Sequence, residues 1–320
     1  MKQVLLWLLG VGAVIVIALR FDFAEMWVVV STIHPAVVVG LLLLQTATLA
    51  FSAFQIYALL RQSAPTLRFT RIYPLFLAGH FVESVTPSLK FGGEAVKVYL
   101  FRRVSGLSYA QVTGAVVAGK YISLVPFLVI AGAVLVYGAL GRSIPLVVYA
   151  GAAAVGLGLA AVYAGARWLQ RQEVDSTDRL GSSLLGRGRV FLQRALEELP
   201  SLAESPLSRP LFGLAALVWV LYPIKVWLVA QALNLPIDMA SVALATYSAY
   251  VVGLVPVFPG SLGTYEFSMA FLLNRFGLNP SEALAVTLTA RFVTFWFPLV
   301  LSGVATVPLL AEFRKRKVME

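Results

Sequence analysis

Four charged residues stand inside apolar sequence where charge is costly: Glu94, Lys120, Glu266 and Arg291. A charge at membrane depth costs at least about 2.5–3.5 kcal/mol on insertion scales, so each needs a partner or a task. Two readings fit. Lysine and arginine can each hold the phosphate of a lipid headgroup, arginine as a bidentate fork and lysine as a point charge. Alternatively, Glu94 pairs with Lys120 and Glu266 with Arg291, joining neighbouring helices. His80 and Glu83 lie three apart on one helix face and form a candidate proton pair or a satisfied buried pair. Lys225, also within an apolar run, either snorkels or pairs.

The acids follow helix breakers. Pro87 with Gly92 and Gly93 precedes Glu94, and Pro256, Pro259, Gly260 and Gly263 precede Glu266. These residues can interrupt a helix, act as hinges, or free backbone N–H groups to meet an anion. No metal-binding or nucleophile motif occurs, so no catalytic residue, metal or cofactor is expected, and the chain reads as a non-enzyme.

The elements that must position these residues follow from composition. Of 320 residues, 59% are apolar and 12% charged, too few polar positions to coat a soluble core. The fold class is an all-α polytopic integral membrane protein across residues 1–320. Spanning helices are expected at Val4–Leu19, Val37–Leu60, Val112–Leu140, Pro145–Trp168, Leu211–Leu233 and Ala283–Leu310. Two shorter apolar stretches, Ile72–Val85 and Val242–Pro256, run into proline and glycine. Each is expected to enter the membrane and turn back, with a second short helix at Glu94–Arg103 or Glu266–Phe276. Residues 167–209 form a polar loop containing an amphipathic segment, Arg187–Leu199.

The net charge of +10 follows the membrane segments rather than forming a nucleic-acid-binding domain. With both termini inside, the lysines and arginines concentrate on the inner side, leaving Arg20 and Arg142 in outer loops. That places the chain in a prokaryotic-type plasma membrane with cytoplasmic termini. No cysteine is present, which excludes disulfides and thiolate chemistry.

The chain also resembles itself at a shift of about 172 positions. "PSLKFGGE" from Pro87 matches "PGSLGTYE" from Pro259; further on, Gly106-Leu107 falls on Gly277-Leu278, Lys120 on Arg291 and Gly132 on Gly303. Residues 34–140 and 210–310 would then be two repeats. The positive-charge bias gives them opposite orientations, an inverted-topology repeat with two re-entrant broken-helix hairpins, as in secondary transporters.

The paired proline-to-glutamate breaks, the run "GLVPVFPGSLGTYE" and the helix "TARFVTFW" resemble the flippase-like membrane region of lysylphosphatidylglycerol synthases. The resemblance spans roughly residues 1–315. It differs at "AGKYIS", around Lys120, where family members often carry an acidic-arginine pair. The soluble aminoacyltransferase domain of the full synthases has no counterpart in this sequence, so the resemblance implies a stand-alone member that moves or binds lipid. The expected function is translocation of an anionic phospholipid or lipid-linked intermediate between leaflets. The alternative is a non-transporting scaffold that holds lipid for a lipid-modifying enzyme or glycosyltransferase, docked through Arg187–Leu199. Membrane lipids are the expected partners, nucleic acid is not, and the oligomeric state is left open.

Overall fold

The computed structural model describes residues 31–86, 91–140, 144–171, 196–254 and 259–319, and these are almost wholly helical. In chain order the helices are α1 (Pro35–Ser63), α2 (Phe69–Val85), α3 (Phe91–Ser105), α4 (Tyr109–Ala139) and α5 (Leu146–Arg171). A helical stretch at 196–203 follows. Then come α6 (Ser208–Ala232), α7 (Met239–Gly253), a 3₁₀ turn (Pro259–Ser261), α8 (Thr264–Arg275) and α9 (Pro280–Arg291). A π-helical turn (Phe292–Trp296) carries α9 on into α10 (Phe297–Met319).

Five helical stretches among the described residues are long and apolar enough to cross a membrane: Pro35–Ser63, Tyr109–Ala139, Leu146–Leu169, Ser208–Ala232 and Pro280–Leu309. They coincide with five of the six expected spans. Val4–Leu19 lies outside the described residues, as does the amphipathic segment except for its end at Leu196–Leu199. At 17 and 15 residues, α2 and α7 are only about 22–26 Å long, short of the roughly 30 Å of hydrocarbon.

The order long helix, short helix, break, short helix, long helix occurs twice, and the local devices that set it recur at a constant offset of 171 positions. Gly106 and Gly277 both take positive φ after the second short helix, where an L-residue would be strained. Ser108 with Gln111 then forms a capping box that starts α4, and Asn279 with Glu282 forms another that starts α9. In each, the cap side chain accepts from the third helical N–H while the third residue's side chain accepts from the cap N–H.

Two large apolar clusters form the core, the first mainly from the first half but with Leu211, the second mainly from the second half but with Leu41. Leu59, Leu60, Ile72, Phe101, Val112 and Ile122 lie in the first, and Val229, Val242, Met269, Leu273 and Val286 in the second. A smaller cluster joins Val85, at the end of α2, to Leu262, Phe295, Trp296 and Leu299 of the second half. The end of α2 therefore packs beside the 3₁₀ turn of the second half. Polar ties cross between the long helices as well: Gln55 Nε2 donates to the Leu211 carbonyl, and Trp219 Nε1 to the Ser123 carbonyl.

Candidate functional site

Both predicted ion pairs are present. Lys120 Nζ lies 2.7 Å from Glu94 Oε1, and Arg291 Nε lies 2.6 Å from Glu266 Oε1. In each half an acid on the second short helix meets a base on the following long helix. The surroundings of the two pairs differ.

In the first half the pair belongs to a ring of four charges. Lys97 Nζ reaches Glu83 Oε2 and Glu94 Oε1, each at 3.0 Å, and Lys120 Nζ also reaches Glu83 Oε1 at 3.3 Å. Helix α2 supplies Glu83, α3 supplies Glu94 and Lys97, and α4 supplies Lys120. Two glycines let α2 and α3 approach closely enough for this. A Cβ on Gly93 would lie 2.4 Å from Glu83 Cβ and 2.6 Å from the Gly79 carbonyl, and one on Gly79 would lie 2.2 Å from Lys97 Cγ. Gly93 is thus a packing glycine; Gly92, its neighbour, opens α3 with it.

Lys97 was not among the site residues expected from sequence. It is buried, 4% exposed, with its ammonium 4.9 Å from the centre of the Phe76 ring. Its spacing three residues after Glu94 is the signal that points to it, because such pairs share a helix face. Glu83, read with His80 as a proton pair, is engaged by the two lysines, while the His80 ring lies parallel to Phe76 with centroids 6.3 Å apart.

The second half holds its base more tightly. Arg291 donates from Nη2 to the Gly260 carbonyl, and its guanidinium lies close to the rings of Tyr265, at 4.7 Å, and Phe295, at 4.3 Å. Glu266 Oε2 accepts from the Gly263 N–H at 2.6 Å, so both carboxylate oxygens are engaged. Gly260 has φ +59°, and a Cβ there would lie 2.5 Å from Phe295. The π turn that follows Arg291 inserts an extra residue into the helical repeat, and it is this turn that carries Phe295. Tyr265 and Phe295 were not legible as site residues, since an aromatic next to a charge in an apolar chain reads first as core. Pro87 and Pro256 lie outside the described residues; Pro259 opens the 3₁₀ turn.

Lys225 does not snorkel. It is 0% exposed, bonded to Gln45 Oε1 at 2.5 Å and Thr48 Oγ1 at 3.2 Å, with the Tyr222 ring 4.1 Å away.

The arrangement binds an anion by exchange, because Lys97, Lys120, Lys225 and Arg291 each already have partners. Lys120 is placed for this: its side chain is 40% exposed, against 6% for Arg291.

Residues 4–302 match the family model described as the lysylphosphatidylglycerol synthase TM region. The chain belongs to this family. Relatives of the lysylphosphatidylglycerol synthase transmembrane region that resemble it include UPF0104 membrane proteins of three archaea. The one from Methanothermobacter thermautotrophicus is 25% identical over 78% of each chain. One from Pyrococcus horikoshii is 24% identical over 74% of this chain and 76% of its own. One from Methanocaldococcus jannaschii is 23% identical over 78% and 77%. No solved structure matches the chain. Membership places it among membrane proteins with a lipid-related role.

Proposed function

We propose that this protein moves a lipid with a phosphate in its headgroup between the two leaflets, by alternate opening of its two halves. The observation that carries the proposal is the pair of intramembrane acid–base contacts, Glu94–Lys120 and Glu266–Arg291, each tying the second short helix of a broken segment to the long helix that follows it. A merely structural ion pair adds little net stability at such a cost of desolvation, so its retention twice favours a role in a cycle.

In this reading six helices span, including Val4–Leu19, and the two broken segments are re-entrant hairpins in halves of opposite orientation. The termini face the cytoplasm, and the membrane is the plasma membrane. The first centre, with Lys120 partly exposed, is the open one; the second, with Arg291 enclosed, is closed. Opening the second requires Phe295 to leave Gly260, which frees the guanidinium for a phosphate. Gly260 and Gly263 are the hinge in that half, and Gly92 and Gly93 in the other.

The test is movement of fluorescently labelled phospholipid across vesicles reconstituted with purified protein. Wild type is expected to move it, and Lys120→Ala and Arg291→Ala are each expected to abolish movement while the variants remain monodisperse in detergent. Normal movement by both variants would sink the assignment of the site. Binding of lipid without movement by wild type would turn the reading to a scaffold for a lipid-modifying partner.

A further inference from the structure

Which headgroup fits is a separate matter, and it rests on the proposed assignment of Lys120 to the headgroup path. Four charges alternate around the first centre, Glu83, Lys97, Glu94 and Lys120, with contacts between 2.7 and 3.3 Å, and their formal sum is zero. The corners are not equivalent. Lys97 is enclosed, with its side chain 5% exposed and its ammonium against Phe76, whereas Lys120 is 40% exposed. An incoming polar group meets Lys120 first, with the carboxylates of Glu83 and Glu94 directly behind it.

A headgroup with a phosphodiester and no amine draws Lys120 towards the phosphate and away from both carboxylates. Lys120 then no longer stands between the two acids, and the ring of four, neutral before, gains a negative charge. Like charges at such spacing repel strongly where water is scarce. A headgroup that also carries a primary ammonium avoids this. Its phosphate takes Lys120, and its ammonium fills the corner that Lys120 leaves, donating N–H groups to Glu83 and Glu94. A quaternary ammonium has no N–H to donate and leaves those oxygens unbonded.

We infer that the first charged centre selects a zwitterionic headgroup, one phosphodiester with one primary ammonium, seated on Lys120 and on the Glu83–Glu94 pair, with Lys97 as the fixed inner counter-charge. This headgroup differs from the net-anionic one expected from sequence in carrying its own counter-charge. The second centre offers a less accessible base, since the Arg291 side chain is 6% exposed against 40% for Lys120, and it pairs with the one carboxylate of Glu266 among the described residues. Selection belongs to the first half.

The test is a binding measurement, independent of transport. Purified full-length protein in detergent is heated with short-chain lipids that differ only in headgroup: phosphoethanolamine, phosphoglycerol or phosphocholine. Ligand that binds the folded state raises the midpoint of unfolding. Phosphoethanolamine is expected to bind at least about tenfold more tightly than the other two, a difference of about 1.4 kcal/mol. In Glu83→Gln, which leaves the ring one negative charge short, the preference should shift towards phosphoglycerol. Equal or tighter binding of phosphoglycerol by wild type overturns the inference, as does phosphocholine binding equal to phosphoethanolamine, or no stabilisation by any of the three. Preferential phosphoethanolamine binding in a protein that moves no lipid would leave the headgroup assignment standing and remove the transport reading alone.

Discussion

Arg291 shows how a buried charge is kept in this molecule: a carboxylate on Nε, a carbonyl on Nη2, and the rings of Tyr265 and Phe295 close to the guanidinium. Replacing it with methionine leaves Glu266 buried beside neutral groups. Breaking a buried pair from one side costs about 3–5 kcal/mol, so Arg291→Met is expected to lower unfolding stability by that order. The double variant with Glu266→Gln should recover a large part of the loss, and a double-mutant cycle on unfolding in detergent measures it. Additive losses would show that the pair does not act as a unit. Lys225 gives the contrast, because its oxygen partners are the neutral Gln45 and Thr48. Lys225→Met strands one amide oxygen and no counter-ion, so a smaller loss of about 1–3 kcal/mol is expected by the same measurement. A loss equal to that of Arg291→Met would mean that Lys225 has a carboxylate partner in solution. Four of the site residues were legible from sequence, because a charge in hydrocarbon is rare enough to stand out. Lys97 was not, since a lysine near the apparent end of a span carries the same signal whether it faces the headgroups or the protein. Only the packing of α2 on α3 separates the two cases.

The breaks in the helices depend on contacts that glycine alone allows. Gly93→Ala would push its Cβ against Glu83 and the Gly79 carbonyl, prising α3 from α2 and opening the four-charge ring. Overpacking of this kind costs about 1–3 kcal/mol, and here it should also weaken lipid binding at the first centre. Gly40, in α1, is the control: nothing lies within 4 Å of a Cβ built there, so Gly40→Ala should be neutral or stabilising by up to about 1 kcal/mol. Thermal unfolding of the two variants checks both, and equal behaviour would contradict the packing described for α2 and α3. At this scale the sequence was informative wherever the chain is punctuated. The long helices matched their apolar runs, and the broken segments ended at their prolines and glycines. The π turn after Arg291 carries no such mark: no proline or glycine lies in Phe292–Trp296, and Phe295 and Trp296 pack with Val85 of the first half. Phe295 therefore came into the site unannounced.

Across the whole molecule, the repeated element order raises the matter of orientation, which side each break opens to. In the proposed orientation the first break opens to the inside and the second to the outside, and Val85, at the end of α2, meets the Leu262 and Phe295 cluster. Two pathways that meet at their tips from opposite sides form one route through the protein, closed by an apolar seal; two that open to the same side form none. The chain contains no cysteine, so single cysteines can report the difference without a background. Ser88→Cys and Ser261→Cys are expected to react with a membrane-impermeant thiol reagent from opposite sides of sealed vesicles, Ser88 from the inner side. Loading phosphate-bearing lipid should change the two rates in opposite directions, because opening one half closes the other. Labelling of both from one side would end the inverted arrangement and, with it, alternate access. Opposite-sided labelling with rates that rise together would instead describe a continuous pore, which a cycle built on two exchanging ion pairs does not permit.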